Sequence, residues 1–236
     1  MKVAIMQPYF LPYIGYFQLI NAVDVFVIYD NIQFSKKGWF HRNRMLQNGA
    51  DTFFTIPLKS DSDYLDVNRR FIAESWKQGE KEKLSRKFKE NYKKAPFFEQ
   101  NWPLFEGILN QEETNLFEFN YLSLKKICEA LGIQTLLEIS SNLEIDHSLK
   151  GQEKVIAICQ KLHGQHYINP IGGIELYEPS AFKAKAIELS FLKSKLTPYQ
   201  QFGANFVPAL SILDLFMFKS IADIKLDLLD FDLLKK

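Results

Sequence analysis

The chain has 236 residues, of which 47% are hydrophobic, and this is enough to build the core of one α/β domain. Its 29 Lys and Arg nearly balance its 28 Asp and Glu, so the formal charge of +1 excludes a general attraction to nucleic acid or acidic membranes. The N-terminus lacks the apolar core of a signal peptide, and no apolar run approaches the roughly 20 residues of a membrane span. We therefore expect a cytoplasmic protein with no membrane span and no nucleic acid target.

The first thirty residues predict a strand–helix–strand unit. Residues 2–6 and 24–30 are continuous apolar runs with β-branched side chains, typical of a parallel sheet covered on both faces. The helix-like stretch 13–22 is long enough to be the crossover between them. Because ligands bind beyond the carboxyl ends of such strands, the polar residues that follow each strand are expected to come together. These residues are Gln7 after the first strand, and Asp30 and Gln33 after the second.

The middle of the chain is expected to be mostly helical. Residues 52–58 predict a third strand, and an all-helical section follows over 70–131. We interpret this section as an insertion or lid within a single α/β domain that spans residues 1–236. Its predicted helices are 80–94, 97–109 and 115–131.

The strand–helix alternation then resumes. The predicted strands are 135–140, 166–170 and 188–196, and the predicted helices are 151–162, 182–187 and 210–221. Alternating strands and helices indicate an α/β, Rossmann-like fold with a mostly parallel sheet and a helical insertion.

The two cysteines lie in helix-like apolar patterns. This placement predicts that Cys128 and Cys159 are buried, reduced thiols. Neither the cysteines nor the four histidines have the spacing of metal ligands, so we expect no metal site. Glycine-rich nucleotide loops are also missing from the sequence, and the residues identify no cofactor.

The turn after the first strand, FLPYIGYF, resembles the opening of the first helix in the nucleotidyltransferase superfamily. In that superfamily two histidines contact phosphates, and a glycine allows close approach of the nucleotide. Tyr13 and Tyr16 stand at the histidine positions and Gly15 at the glycine position. Because tyrosine has no imidazolium to offer at neutral pH, the expected chemistry moves away from nucleotidyl transfer. The alternative is a tight turn with core tyrosines.

A basic cluster follows the second predicted strand. In GWFHRNR, Arg42 and Arg44 offer planar donors suited to phosphate or carboxylate, and His41 could accept a proton near neutral pH. Asn43 lies between the arginines. The alternative is an exposed basic loop anchored by its aromatic residues.

Two later blocks also carry candidate ligand-binding residues. Gly172 and Gly173 follow a predicted strand, where glycine permits close backbone approach to a ligand or a tight turn, and Tyr177 lies just beyond. Tyr199 belongs to the block YQQF. Asp214 begins the last predicted helix, where it could instead complete a capping box with Ser211.

Together and in this order, these blocks are similar to the WbqC-like family, over QPYFLPYIGYFQLINAVDVFVIYDNIQF, GWFHRNR, YINPIGGIELY, YQQF and FVPALSILDLFMF. The resemblance implies a bacterial protein of O-antigen and other surface polysaccharide synthesis. It implies a transferase that moves a glycyl, aminoacyl or other acyl group onto a nucleotide-linked amino sugar. The acyl donor would be an acyl carrier, coenzyme A or an aminoacyl compound.

The expected roles follow from the chemistry of the side chains. Arg42 and Arg44 would hold a pyrophosphate, and His41 or Asp30 would take the proton of the attacking amine. The amides of Gln7, Gln33 and Asn43 would orient the substrate. Two alternatives stay open: a nucleotidyl or adenylyl transferase-like enzyme, and a non-catalytic assembly partner of the polysaccharide machinery.

Overall fold

A computed structural model describes residues 1–203 and 205–236, and it confirms an α/β fold with a mostly parallel sheet. The strands are β1 (Lys2–Met6), β2 (Val25–Ile28), β3 (Arg42–Gln47), β4 (Ala50–Thr55), β5 (Leu136–Ile139), β6 (His166–Pro170), β7 (Glu188–Ser194) and β8 (Phe231–Leu234). The helices are α1 (Ile14–Asn21), α2 (Glu80–Tyr92), α3 (Phe98–Leu109), α4 (Leu116–Leu131), α5 (Gly151–Lys161), α6 (Pro179–Lys183), α7 (Ile212–Phe218) and α8 (Ile221–Asp227).

The main sheet has six strands in the order β5-β2-β1-β6-β7-β8. All neighbouring pairs are parallel except β7 and β8, which are antiparallel. Counted within this sheet alone, the order is 3-2-1-4-5-6, which is that of the doubly wound dinucleotide-binding fold. The chain runs outward from β1 through β2 to β5 and then returns to β6 on the other side of β1. The strand order therefore reverses between β1 and β6.

Alternating side chains on the strands build two hydrophobic layers, one on each face of the sheet. Val3 and Ile5 pack with α5 and α6, whereas Ala4, between them on the same strand, packs with α1, α4, α7 and α8. The period of two along a strand produces this division, and helices on both faces explain why the strands are apolar throughout.

The helical section between β2 and β5 packs into the second of these layers. Phe88, Phe105 and Phe119, from α2, α3 and α4, are fully buried in the same cluster as Ala4 and Phe26 of the sheet. The section therefore contributes to the core that covers the sheet.

Residues 36–58 form a hairpin outside the main sheet. The segment for which an exposed basic loop was the alternative contains β3. The strand predicted at 52–58 is present as β4, and it pairs with β3 in a separate antiparallel hairpin. Asn48 and Gly49 both have positive φ, of 52° and 76°. A two-residue loop of this kind matches the twist of the flanking strands, so this pair fixes the hairpin.

The C-terminal region also differs from the expected single helix over 210–221. The extended backbone of Lys219 separates α7 from α8, and the hydroxyl of Ser220 accepts a hydrogen bond from the N–H of Asp223 to cap α8. A capping residue inside a helical pattern therefore begins a second helix. β8 follows, and the sequence analysis did not predict it.

The cysteines agree with the prediction of buried thiols. Cys128 and Cys159 are both buried and free, and burial raises the pKa of each to about 12. Within the described ranges, every helix is too short or too polar to pass through a lipid bilayer.

Candidate functional site

The carboxyl ends of β1 and β6 flank a cavity of ≈ 520 Å³, which we call the switch-point crevice. It lies where the strand order reverses, the position at which ligands bind in doubly wound sheets. Its polar and aromatic wall residues are Gln7, Tyr9, Tyr29, Gln152, Tyr167, Asn169 and Tyr177.

The wall after β1 presents a free amide. The half-buried side chain of Gln7 makes no hydrogen bond within the described chain. Its backbone carbonyl accepts a 2.8 Å hydrogen bond from the hydroxyl of Tyr16, which lies in the core of the protein. Burial, followed by Tyr9 and Cys128, raises the pKa of Tyr16 well above its usual range. Tyr16 therefore supports the turn that presents Gln7 and does not itself reach the crevice.

The wall after β6 is held by a small hydrogen-bond network. The hydroxyl of Tyr167 donates to Oδ1 of Asn169 over 2.9 Å and lies 3.3 Å from the hydroxyl of Tyr177. Nδ2 of Asn169 donates to the carbonyl of Pro170. A Cβ at Gly173 would approach this Nδ2 to 2.2 Å, so the close backbone approach requires glycine.

The N-terminus of α5 forms another part of the wall. Gly151 and Gln152 line the crevice, and the N-cap residue Lys150 gives the helix no side-chain cap. Oε1 of Gln152 accepts a 2.6 Å hydrogen bond from the N–H of Glu178, which ties the helix to the segment after β6. The first N–H groups of a helix have no partners within it, and its dipole is positive at this end.

The crevice wall is uncharged at neutral pH. Among the described residues that line it there is no Asp, Glu, His, Lys or Arg. Burial is the main cause that raises the pKa of Tyr9, Tyr29, Tyr167 and Tyr177 above the usual value, so all four hydroxyls keep their protons. The wall therefore offers aromatic surface, neutral amides and backbone N–H groups, and it is suited to binding and orientation.

Asp30 lies beside the crevice in a different setting. Its Oδ2 accepts a hydrogen bond from Nδ2 of Asn68 over 2.7 Å, and its Oδ1 accepts one from the N–H of Ser141 over 2.9 Å. It lines a polar cavity of ≈ 450 Å³ together with Asp66 and Glu118. Because both carboxylate oxygens are engaged, Asp30 joins the end of β2 to two neighbouring turns.

His41 lies in a third place, a cavity of ≈ 350 Å³ that also includes Lys36, Lys59 and Arg70. Burial, then the charges of Arg42 and Arg70, lower the pKa of His41 to about 4. Its Nδ1 is buried without a hydrogen-bond partner within the described ranges. His41 is therefore neutral at pH 7 and is not a residue of the crevice wall.

The two arginines expected to hold a pyrophosphate make bonds within the protein. Arg42 donates to the carbonyls of Lys37 and Gly38, and Arg44 forms a 3.0 Å ion pair with Asp51 and donates to the carbonyl of Ala209. These bonds hold the hairpin to its surroundings.

Asn43, Tyr13 and Gln33 also lie away from the crevice. Nδ2 of Asn43 donates to the carbonyls of Phe10 and Leu11, while Tyr13 lines a separate cavity of ≈ 150 Å³ next to Asn43 and Arg44. Gln33 is exposed and donates to the carbonyl of Asp63.

Asp214 is the centre of a buried network and not a crevice residue. Its carboxylate accepts hydrogen bonds from the hydroxyls of Tyr92 (2.9 Å) and Tyr199 (2.5 Å) and from Nε2 of Gln201 (2.7 Å). Burial raises the pKa of Asp214, and these three hydrogen bonds act in the opposite direction. Ser211 caps α7 as predicted, with its hydroxyl accepting from the N–H of Leu213.

Gly15, the remaining predicted site residue, has a packing role. A Cβ there would lie 2.2 Å from Oγ of Ser194, so glycine lets α1 approach β7 closely.

Four of the predicted residues share the switch-point crevice: Gln7, Gly172, Gly173 and Tyr177. Tyr9, Tyr29, Gln152, Tyr167 and Asn169 also line the crevice but were not among the predicted site residues. Each has a local signal, because Tyr9 and Tyr29 follow strand-like apolar runs, Tyr167 and Asn169 lie in YINP, and Gln152 begins a helical pattern.

Comparison with known proteins gives one family. The sequence profile of the WbqC-like protein family matches residues 7–226. An uncharacterized protein of Mycobacterium tuberculosis (strain ATCC 25618 / H37Rv) is 29% identical over 219 residues, which cover 91% of this chain and 92% of that protein. No solved structure matches the chain significantly.

Proposed function

The chain belongs to the WbqC-like protein family, and from this premise we propose that it is a transferase of bacterial surface polysaccharide biosynthesis. In this proposal the protein binds a nucleotide-linked amino sugar in the switch-point crevice and transfers a glycyl, aminoacyl or other acyl group to the amine. The observation that carries the proposal is the position of the crevice, at the strand-order reversal of a sheet with the dinucleotide-binding order.

The size and chemistry of the crevice support a ligand of this class. Its volume of ≈ 520 Å³ lies within the range of small-molecule sites. Tyr9, Tyr29 and Tyr177 provide aromatic surface for a base or a sugar ring, and the amides of Gln7 and Gln152 suit sugar hydroxyls. The uncapped start of α5 suits the negative charge of a diphosphate.

Positioning is the catalytic contribution that this wall supports. An acyl transfer forms a bond between the amine nitrogen and the donor's carbonyl carbon and breaks the bond from that carbon to the donor's sulfur or oxygen. The proton that the amine loses ends on the released thiol, hydroxyl or phosphate or in solvent. Holding the amine and the carbonyl in attacking geometry can lower the barrier by about 7–11 kcal/mol. Neutral amides next to the reacting carbonyl would also stabilise the negative charge that develops on its oxygen.

The contacts favour acyl transfer over nucleotidyl transfer. A nucleotidyl transferase of the kind that FLPYIGYF resembles needs two phosphate-binding side chains at positions 13 and 16. The hydroxyl of Tyr16 is instead bonded to the carbonyl of Gln7 in the core. A concave cavity with free polar groups likewise favours a small-molecule ligand over a purely structural partner.

The first experiment is a binding and product screen. Calorimetry with UDP-, dTDP- and GDP-linked amino sugars should find micromolar binding, and mass spectrometry with a panel of acyl donors should find an N-acylated sugar. The donors are an amino acid with ATP, aminoacyl-tRNA, acyl-coenzyme A and an acyl carrier thioester.

A pair of variants then places the ligand. Gln7→Leu should weaken binding about tenfold, since it removes a free amide of the wall. Gln78→Leu makes the same change at an exposed position outside the crevice and should bind normally. Absence of binding by every amino-sugar nucleotide would reject the proposed function.

A further inference from the structure

Lys154, in the second turn of α5, is a buried lysine without a counterion. Only 3% of the residue is exposed. Within the described part of the chain, its Nζ forms neither an ion pair nor a hydrogen bond, and it lies 4.6 Å from the centroid of the Tyr29 ring. Most of the lysines that form ion pairs are instead well exposed, and they pair with Asp or Glu.

The surroundings of Lys154 do not neutralise it. Asp30 and Asp66 attract the ammonium, but neither lies within the 4.0 Å of an ion pair, and both oxygens of Asp30 are engaged by Asn68 and Ser141. Burial lowers the pKa of Lys154 in spite of these two carboxylates. Burial of the side chain disfavours the charged form, and the contact with one aromatic ring offsets only part of this effect.

The ammonium lies immediately behind the crevice wall. Tyr29, whose ring it contacts, lines the crevice, and so do Gly151, Gln152 and Val155 from the same helix. Three features therefore meet at one place: the uncapped N-terminus of α5, the crevice and a cation without a partner. The flexible four-carbon stem of lysine allows its charge to follow a ligand over a short distance.

We propose that Lys154 is an anion-binding residue of the switch-point crevice and that it pairs with the diphosphate of the bound ligand at the N-terminus of α5. The anion site follows from Lys154, Tyr29 and α5, and only its description as a nucleotide-sugar diphosphate site rests on the proposed function. The ligand would supply the ion-pair partner that no carboxylate of the described chain provides.

The proposal predicts an unusual combination of effects for Lys154→Met. Pyrophosphate binding, measured by calorimetry, should weaken at least tenfold because the ammonium is lost. The melting temperature without ligand should rise, because the substitution removes a charge that burial disfavours and that has no ion-pair partner, but keeps an apolar chain of similar length. Lys161→Met is the matched control on the same helix, where an exposed lysine pairs with Glu144, and it should leave pyrophosphate binding unchanged.

A measurement on the unaltered protein complements the variants. With ¹⁵N-labelled lysine, addition of pyrophosphate should shift the Nζ resonance that is missing from the spectrum of Lys154→Arg. If that resonance does not move, or if the unaltered protein does not bind pyrophosphate, the proposal is overturned. A lower melting temperature with unchanged pyrophosphate affinity in Lys154→Met would also overturn it, because it would show a purely structural lysine.

These results separate the two proposals. Pyrophosphate binding that depends on Lys154, without binding of any amino-sugar nucleotide, would support the anion site and reject the proposed function. Equal binding of an amino-sugar nucleotide by the unaltered protein and by Lys154→Met would support the proposed function and reject the role of Lys154.

Discussion

The switch-point crevice and the Asp214 network use the same residue types, tyrosine and glutamine, in opposite ways. In the network, the hydroxyl of Tyr199 and the amide of Gln201 both donate to one buried carboxylate. In the crevice, the side chains of Gln7 and Tyr29 make no hydrogen bond within the described chain, although they line a cavity. Polar groups that have hydrogen-bond partners in the protein stabilise the fold, whereas polar groups without such partners in a cavity are available to a ligand.

The strongest test of this comparison is Asp214→Ala. The carboxylate is fully buried, so its removal leaves two hydroxyls and an amide without their acceptor. We expect the free energy of unfolding, measured by urea denaturation, to fall by about 3–5 kcal/mol. Asp51→Ala, at the surface ion pair with Arg44, is the control and should change it by less than about 1 kcal/mol. Equal losses in the two variants would contradict the structural role of Asp214.

A second test uses the two adjacent glycines of the crevice. Gly173→Ala forces Cβ against Nδ2 of Asn169, so we expect a loss of about 1–3 kcal/mol in stability together with weaker ligand binding. A Cβ at Gly172 meets nothing within 4 Å, and Gly172→Ala should change stability by less than about 0.5 kcal/mol. Thermal unfolding of both variants measures this contrast, and the reverse order of stability would refute the described packing.

The third test concerns pH and His41. Its pKa is lowered to about 4 in the folded protein, from the ordinary value of 6.5, so the unfolded chain binds more protons between these two values. The contribution of His41 to the free energy of unfolding is therefore fully present above pH 6.5 and is lost as the pH falls toward 4. We expect about 1–2 kcal/mol after allowance for solvent screening. His41→Gln should flatten this part of the stability profile, and an unchanged profile would show that His41 does not titrate as described.

The smallest expected effect on stability belongs to the crevice itself. Gln7→Leu and Tyr29→Phe remove polar groups that have no partner within the described ranges, so each should change the free energy of unfolding by less than about 0.5 kcal/mol. Gln201→Leu, in the Asp214 network, should lose about 1–3 kcal/mol because it leaves buried partners unsatisfied. If Gln7→Leu and Gln201→Leu lowered the free energy of unfolding equally, the proposed difference between the two regions would be wrong.

The sequence predicted those parts of the fold that depend on local patterns. Continuous apolar runs identify β1 and β2 because strands covered on both faces have no polar side. The pair Asn48-Gly49 is a strong hairpin signal, and the hairpin was not predicted because the charges before the pair indicated an anion-binding segment. β8 was missed because its short alternation of Phe231, Asp232 and Leu233 resembles a polar terminal segment.

The candidate site was only partly predictable, for a different physical reason. The position of a residue directly after a strand can be recognised from the local sequence. This position correctly predicted that Gln7 and Gly173 line one crevice. Whether a polar side chain already has hydrogen-bond partners depends on the tertiary structure, so Tyr199 and Asp214 were predicted to bind a ligand in the same way as Gln7. Lys154 was overlooked because a lysine in an amphipathic helix usually belongs to the solvated side.

The strand order has a consequence for how the protein folds. β1 and β2 are joined by a short crossover, but Val25 of β2 pairs with Leu136 of β5, and Val3 of β1 pairs with Tyr167 of β6. We expect contacts so distant in sequence to form after the nearer β1–β2 pair, because closing a longer loop costs more chain entropy. The two walls of the crevice therefore meet only when the far half of the sheet has docked. A ligand that bridges these walls would slow unfolding as well as bind, because it would hold together the last strands to assemble.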